Sequence, residues 1–463
     1  MTMNAHDFAA KGDGQTDDTD AIQAALDAFS LQPASGVVTV PVGTYRISRP
    51  LVYRGSWPQG VKIRGELAAA GPGGSVLKWV GGEGTVLEIT GCNACSVEGL
   101  TIDCGRTATT GIAVSYDHTR NQGTVNATVS HCHVGGLAGK DTAGIRIGYR
   151  GLTPDNYQCD LILVDRCMLV ADGAGPQPAF GIATGYANAK NFTVRDCSIV
   201  GFGTGLAHGG SGFMQATGCF FQSNGLDVQG AGDTIELRSC NSEGSGRLFV
   251  GTMGKNPGSA IVANWTWDGK VDPGDETVIA YGGYLQLVGC QLWNRRTATS
   301  TCKVRCGPSQ GAACSLDSSG NFFAQSLKQP FLDGSGNDVT VQQRFYSQYP
   351  AFIRSFGDYG GVPGALVPFG PLPGVVASDT LKAKDLVLTG SLDFGDGRKW
   401  TPEGLFLSKD RHWTDDGLYP GIGVKWVGAG GLVGNATNGT LYWVDWLGGG
   451  AVIVVEPKPR RNN

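Results

Sequence analysis

Apolar residues recur along this chain in a fixed relation to a column of cysteines. Taking one position of the pattern as zero, that column reads Leu100, Cys132, Cys167, Cys197, Cys219, Cys240, Cys290 and, more loosely, Asn321. Five positions earlier stand Cys95, Ala127, Ile162, Phe192, Met214, Ile235 and Leu285; three earlier stand Val97, Val129, Val164, Val194, Ala216, Leu237 and Leu287. Two positions later come Ile102, Val134, Leu169, Ile199, Phe221, Leu292 and Phe323, with Ser242 the polar exception. Alternation with period two places these side chains on one face of a strand, and the break in alternation near zero predicts a bend. A further strand follows each time after a glycine-containing turn, as in Gly111-Ile112-Ala113-Val114, Gly144-Ile145-Arg146-Ile147, Gly181-Ile182-Ala183, Gly205-Leu206-Ala207 and Gly225-Leu226-Asp227-Val228. Units of strand, corner and strand stacked about 4.8 Å apart predict an all-β parallel β-helix, with the cysteine column as a ladder in its core. The irregular stretches between units, Gly151 to Asn156, Ala171 to Pro178 and Gly254 to Pro273, are rich in Gly, Pro and Asp and read as loops outside the coils.

The first coil of such a solenoid needs a cover, because an open strand edge templates aggregation. Residues 16 to 30 supply one: Ile22, Ala25, Leu26 and Phe29 share one helical face, and Asp17, Asp18 and Asp20 suit the positive end of the helix dipole. The pattern divides the chain into a cap and first coil (1–50), a β-helix (51–350), a Pro/Gly-rich connector (351–377) and a small β-rich module (378–463). That last module holds Trp400, Trp413, Trp426, Trp443 and Trp446, which suit trimer packing or carbohydrate binding.

Three stretches of the opening carry a family resemblance: Asp7-Phe8-Ala9-Ala10-Lys11-Gly12-Asp13-Gly14, Thr16-Asp17-Asp18-Thr19-Asp20-Ala21-Ile22 and Val40-Pro41-Val42-Gly43-Thr44-Tyr45. They resemble the start of pectate-lyase-superfamily proteins, which include rhamnogalacturonase-like and polygalacturonase-like enzymes and many bacteriophage tailspikes. The resemblance implies a right-handed β-helix that binds or acts on polysaccharide. It covers residues 5 to 50 closely and the coils to about residue 345 more loosely, and this opening motif is structural, so it transfers no active site.

Composition narrows the partners. The chain has 463 residues, 16% of them charged and 41% apolar, with 74 glycines and a formal charge of −4, which suits a folded, turn-rich protein. No basic block offers a footprint for nucleic acid, and no apolar run approaches a membrane span. The start lacks a secretory pattern, which points to folding in a cytoplasm, and 13 cysteines in apolar strand patterns are expected to be reduced. Cys92 with Cys95, and Cys302 with Cys306 and Cys314, have spacings that zinc tolerates, and Asp268, Asp272 and Asp275 would be calcium-ligand types; the core pattern at Cys95 argues against zinc, and no cofactor or metal is expected.

Glycoside hydrolysis needs two carboxylates about a bond, whereas lyase chemistry needs a base beside a group that neutralises a uronate. Positions expected to face outward include Glu98, Asp165, Arg195 and Arg238 in one column, Glu236 in another, and Asp227 on the strand after the corner. Arg195, Asp227, Glu236, Arg238 and Glu243 form the expected catalytic group, the alternative being a solvated face of ordinary ion pairs. His208, in Ala207-His208-Gly209-Gly210-Ser211-Gly212, resembles the His-Gly segment of polygalacturonases, although their Asp-Asp pair and Arg-Ile-Lys stretch have no counterpart here. Trp265, Trp267 and Trp293 are the candidate sugar platforms. The leading expectation is a phage-type tailspike or virion appendage, folded in the host cytoplasm, homotrimeric and joined to the virion through an adaptor, that binds and depolymerises a bacterial surface polysaccharide. The alternatives are a secreted monomeric polysaccharide lyase or glycoside hydrolase, and a β-helix with a purely structural or receptor-binding role.

Overall fold

A computed structural model describes residues 2–30, 35–55, 60–66, 74–139, 142–148, 158–173, 180–185, 190–209, 212–230, 234–251, 258–271, 276–295, 301–306, 314–324, 330–332 and 336, and beyond them residues 351–356, 358–362, 365–368, 392–393, 399–401, 404–406, 430–435 and 440–445. Three long sheets wind into a right-handed parallel β-helix. The first, of 13 strands, runs from Thr2–Asn4 to Ala351–Phe356; the second, of 14, from Asp13–Asp17 to Ala365–Pro368; the third, of 11, from Leu51–Arg54 to Phe331–Leu332. Coils in the middle of the solenoid contribute one strand to each sheet, and like residues stack on like. In the first sheet Ile162, Phe192, Met214, Ile235, Ala260 and Leu285 are successive partners, as are Val164, Val194, Ala216, Leu237, Val262 and Leu287. Ala260 and Val262 belong to a coil that the cysteine pattern passes over: its zero position is Trp265, fully buried in the column between Cys240 and Cys290.

The bend between the first and second sheets has one cause in the nine coils from Gly99 to Gly320. The residue just before zero is left-handed: Gly99 (φ 70°), His131 (51°), Arg166 (49°), Asp196 (52°), Gly218 (67°), Ser239 (52°), Asn264 (53°), Gly289 (63°) and Gly320 (64°). This conformation turns the chain while keeping the corner amide in the ladder between coils. The amide of Arg166 donates to Arg195 O at 2.9 Å, that of Asp196 to Thr217 O at 2.9 Å and that of Ser239 to Ala263 O at 2.9 Å. An L side chain in this conformation is strained by roughly 1 to 2 kcal/mol, so each non-glycine corner is held by its neighbours.

The cysteine column lies inside the corner. Sγ of Cys167 approaches Val129 O at 3.5 Å, Cys197 approaches Val164 O at 3.6 Å, Cys219 approaches Val194 O at 3.8 Å and Cys290 approaches Val262 O at 3.5 Å. A thiol fits because it is small, apolar and a weak donor to the carbonyl of the preceding coil. The twelve cysteines whose side chains are described are all buried and free of disulfides, Cys92, Cys95, Cys302 and Cys306 among them. Burial pushes the thiols of Cys159 and Cys290 up to about 12.

Helix α1 (Thr19–Ser30) covers the first coil with Ile22, Ala25, Leu26 and Phe29. It starts later than the expected residue 16, because Asp13–Asp17 forms a strand beside Gly43–Ile47. The Asp18 carboxylate accepts from the Lys11 and Gly12 amides at 2.7 and 3.1 Å and ties the preceding turn to the helix start. Gly12 is required there: its φ is +64° and a Cβ would stand 2.8 Å from the Tyr45 ring.

At the other end parallel pairing continues past residue 350. Ala351–Phe356 stacks on Cys314–Ser319 and Tyr359–Val362 on Phe322–Ala324, after which Ala365–Pro368 returns antiparallel to Tyr359–Val362. The chain divides into two units, Met1–Gly370 and Pro371–Asn463. The second contains an antiparallel set of Leu392–Asp393, Lys399–Thr401 and Gly404–Phe406 and a hairpin of Gly430–Asn435 with Thr440–Asp445. The side chains of its tryptophans lie outside the described residues.

Four residues expected on the surface are in the core. Trp265 and Trp267 are fully buried, Trp265 stacked on Phe221 at 5.4 Å between ring centres. His208 is buried with its Nδ1 2.9 Å from Thr184 Oγ1 and its ring stacked on Phe192. Asp227 is fully buried because the register pairs Leu206 with Val228, so that Asp227 follows Gly205 in a glycine column where the strand begins. At that column alternation fails: a Cβ on Gly205 would point at the core residue Phe221, and the next residue also faces inward. Asn224 Nδ2 donates to Asp227 Oδ1 at 3.2 Å, and Ser245, Ser242 and Trp267 also line the carboxyl. Burial outweighs these polar neighbours and pushes its pKa up to about 7.

Two predictions test these assignments. Ser239→Gly removes strain at an exposed corner and should raise stability by roughly 0.5 to 1 kcal/mol; an unchanged or lower thermal midpoint would contradict the corner rule. For Asp227, the unfolded chain releases its proton near 3.8 while the folded chain keeps it until about 7, so this group lowers stability as pH rises through that window. Asp227→Asn should therefore gain on the parent protein between pH 4 and 7, by roughly 4 kcal/mol at most, and then run parallel to it. Denaturant titrations across that range would show the gap, and a gap that stays constant would refute the protonated core carboxyl.

Candidate functional site

The expected catalytic group does not converge. Arg195 and Arg238 lie on the outer face of the first sheet, each in an ion pair: Arg195 Nε donates to Asp165 Oδ1 at 2.7 Å and Arg238 Nε to Glu236 Oε2 at 3.1 Å. Arg166 also reaches Asp165, and Lys62 pairs with Glu98. The Arg195 guanidinium holds the Asp165 carboxyl below the usual carboxylate range, and Lys62 does the same for Glu98. On this face Lys62, Arg195 and Arg238 are thus each paired with a nearby carboxylate. Asp227 and His208 are in the core, out of reach of a polymer. Glu243 is on another face, that of the second sheet.

On that face a different set comes together. Gln222, Glu243, Asp268 and Trp293 are consecutive partners in adjacent coils, all pointing away from a core of Phe221, Ser242, Trp267 and Leu292. Their backbones are therefore about 4.8 Å apart along the helix axis. A parallel column alongside contains Asn241, Thr266, Gln291 and Phe322. The Trp293 side chain is 42% exposed and its ring meets Phe322 edge-on at 5.0 Å. The residue is thus held from one side and open on the other.

Asp268 is less exposed than Glu243 and Trp293 on either side of it in the column. Arg295 forms an ion pair with its Oδ2, while its Oδ1 is shielded from solvent and has no hydrogen-bond partner among the described residues. Burial pushes the Asp268 carboxyl up, the neighbouring Glu243 adds to the shift, and Arg295 opposes it without cancelling it. The arrangement combines an aromatic platform, two carboxylates in unlike surroundings, a guanidinium and a row of amide and hydroxyl groups. Such a surface can stack on a sugar ring, hydrogen-bond its hydroxyls and exchange a proton with it.

The sequence singles out Glu243 and Trp293 as chemical types, whereas it groups Asp268 with Asp272 and Asp275 as a calcium-ligand type. Asp268 lies instead on the strand Thr266–Gly269; Asp272 and Asp275 lie outside the described residues. The signal that places it is the coil at Trp265. With Trp265 at zero, Asp268 falls three positions later, as Glu243 and Trp293 do in their own coils. Among the described residues no three His, Cys, Asp or Glu side chains converge on a metal position, and no helix is long and apolar enough to cross a membrane.

Comparison with known proteins locates the similarity at the amino terminus. Residues 2–71 match the family described as rhamnogalacturonase A/epimerase, pectate lyase-like. Alginate lyase 7 of Azotobacter vinelandii is 58% identical over 48 residues, 10% of this chain and 6% of that protein. Mannuronan C5-epimerase AlgE2 of the same organism is 41% identical over 86 residues, 18% of this chain and 8% of that protein. The matches thus span under a tenth of the length of these relatives. Among solved structures, ORF18 of Geobacillus virus E2 is 13% identical with a TM-score of 0.37, covering 100% of this chain and 79% of that one. The A-module of mannuronan C-5 epimerase AlgE4 from Azotobacter vinelandii is 16% identical with a TM-score of 0.40, covering 80% and 98%. Residues 2–71, then, are similar to the opening of the rhamnogalacturonase A/epimerase, pectate lyase-like proteins, and the chain continues from there as a right-handed parallel β-helix.

Proposed function

We propose that this protein is a polysaccharide-binding β-helix of a phage-type virion appendage, and that the outer face of its second sheet is where the glycan lies. The observation that carries the reading is the exposed Trp293, braced by Phe322 and flanked by Asp268, Gln291 and Arg295. An aromatic ring open on one side and bordered by polar groups is the surface that sugar rings select. The names of the relatives, an alginate lyase and mannuronan epimerases, point to the same class of polymer. In this reading the β-helix supplies the binding face, residues 378–463 serve trimerisation or a second carbohydrate contact, and an adaptor joins the trimer to the virion. Those same relatives favour a second reading, a secreted monomeric lyase or hydrolase.

Two measurements separate and test these readings. Light scattering should give a mass near three times 48.3 kDa; a mass near that of one chain would remove the trimeric appendage and favour the monomeric enzyme. Affinity electrophoresis in gels containing alginate, xanthan, gellan, dextran or levan should show retardation in at least one polymer. Trp293→Ala should weaken that retardation by roughly 10-fold or more, and retardation that survives the substitution would move the binding face elsewhere.

A further inference from the structure

The geometry points to Glu243 and Asp268 as a glycosidic-bond-cleaving pair that acts with retention of anomeric configuration, an assignment that rests on the second sheet being the glycan-binding face. Three observations support it. The two carboxylates occupy paired positions on adjacent strands, so their backbones are about 4.8 Å apart. Retaining pairs stand about 5 to 5.5 Å apart and inverting pairs about 6.5 to 9.5 Å, the latter leaving room for a water between acid and base. Two side chains rising in parallel from neighbouring strands match the shorter separation.

The surroundings differ in the way the two roles require. Glu243 is exposed at the edge of its strand, as a nucleophile must be. Asp268 is largely covered, and its Oδ1 lacks any donor to stabilise a negative charge. Burial first, and Glu243 as well, shift the carboxyl upward, against the opposing Arg295. Arg295, with its side chain 66% exposed, lies against Oδ2 and would have to swing aside for a sugar to reach that oxygen.

The third observation is order along the axis: Glu243, then Asp268, then Trp293, one per coil. The step from coil to coil is close to the advance of one pyranose ring in an extended glycan. A ring stacked on Trp293 would bring its glycosidic oxygen over Asp268 and the anomeric carbon of the next ring over Glu243. The Glu243 carboxylate would then attack that carbon as the bond to the glycosidic oxygen breaks, and the Asp268 proton would pass to the departing oxygen. The products of this step are a glycosyl ester on Glu243 and a free hydroxyl on the leaving chain. Water, giving its proton to the Asp268 carboxylate, would next attack the same carbon, release the Glu243 carboxylate and restore the starting state. The sum is one water consumed for each bond cleaved, with two inversions and hence retention.

The test uses the full-length protein and the same five polymers. Reducing ends should appear with a polymer that is bound, and proton NMR should show the first-formed anomer to have the configuration of the bond cleaved. Glu243→Gln and Asp268→Asn should each lower the rate by roughly 100-fold or more while keeping the thermal midpoint and polymer retardation. Glu236→Gln, on the first sheet, should leave the rate unchanged. Inversion, an unsaturated uronate product or full activity of Glu243→Gln would overturn the proposal. Binding without any cleavage would overturn it while sparing the binding face, whereas no retardation in any of the five polymers would remove the reading on which it rests.

Discussion

The hydrogen-bond ladder between coils is the constraint on which everything else depends. Each strand finds its partner one turn later in the chain, so the backbone must bend between sheets without dropping an amide from the ladder. The left-handed corner meets that requirement. It explains how Gly, His, Arg, Asp, Ser and Asn can occupy one structural position: the conformation is imposed by the ladder, and the side chain there points outward. Inside the corner, space is left for a small residue, and cysteine fills it in successive coils. A ladder of this kind also fixes register, so the position of every outward residue follows from its distance to the corner.

That dependence sets what was legible in the sequence. The cysteine column, its flanking apolar columns and the capping helix could be read because inward positions in stacked coils obey one rule repeatedly. The coil at Trp265 escaped because a large aromatic replaced the small thiol, and with it escaped Asp268, whose place is defined only relative to that corner. Asp227 was misplaced for a different reason. Period-two alternation holds within strands and fails where the third sheet begins, and there two consecutive residues face the core. Glu243 and Trp293 could each be singled out as chemical types, but their adjacency is a matter of register and became visible only when the coils were stacked.

The two outer faces show how one scaffold gives similar residues unlike roles. On the first sheet, Lys62, Glu98, Asp165, Arg195, Glu236 and Arg238 neutralise one another, and the arginine beside Asp165 keeps that carboxyl ionised. On the second, two carboxylates are adjacent, a guanidinium pairs with Asp268, and that more covered acid is shifted the other way. Charge balance therefore distinguishes the faces better than charge count. A row in which every ion has a partner is a solvated surface, whereas unequal burial within a pair of like charges is an arrangement from which proton transfer can start.

The antiparallel return of Ala365–Pro368 onto Tyr359–Val362 has a consequence beyond this chain. A solenoid whose final strand ran in the common direction would offer the next molecule the same edge that each coil offers its successor, and growth could proceed end to end into a fibre. Reversing the polarity of the outermost strand of the second sheet changes the spacing of donors and acceptors presented there. With α1 over the first coil, the second sheet is thus closed by a reversed strand at one end of the solenoid and the core by a helix at the other.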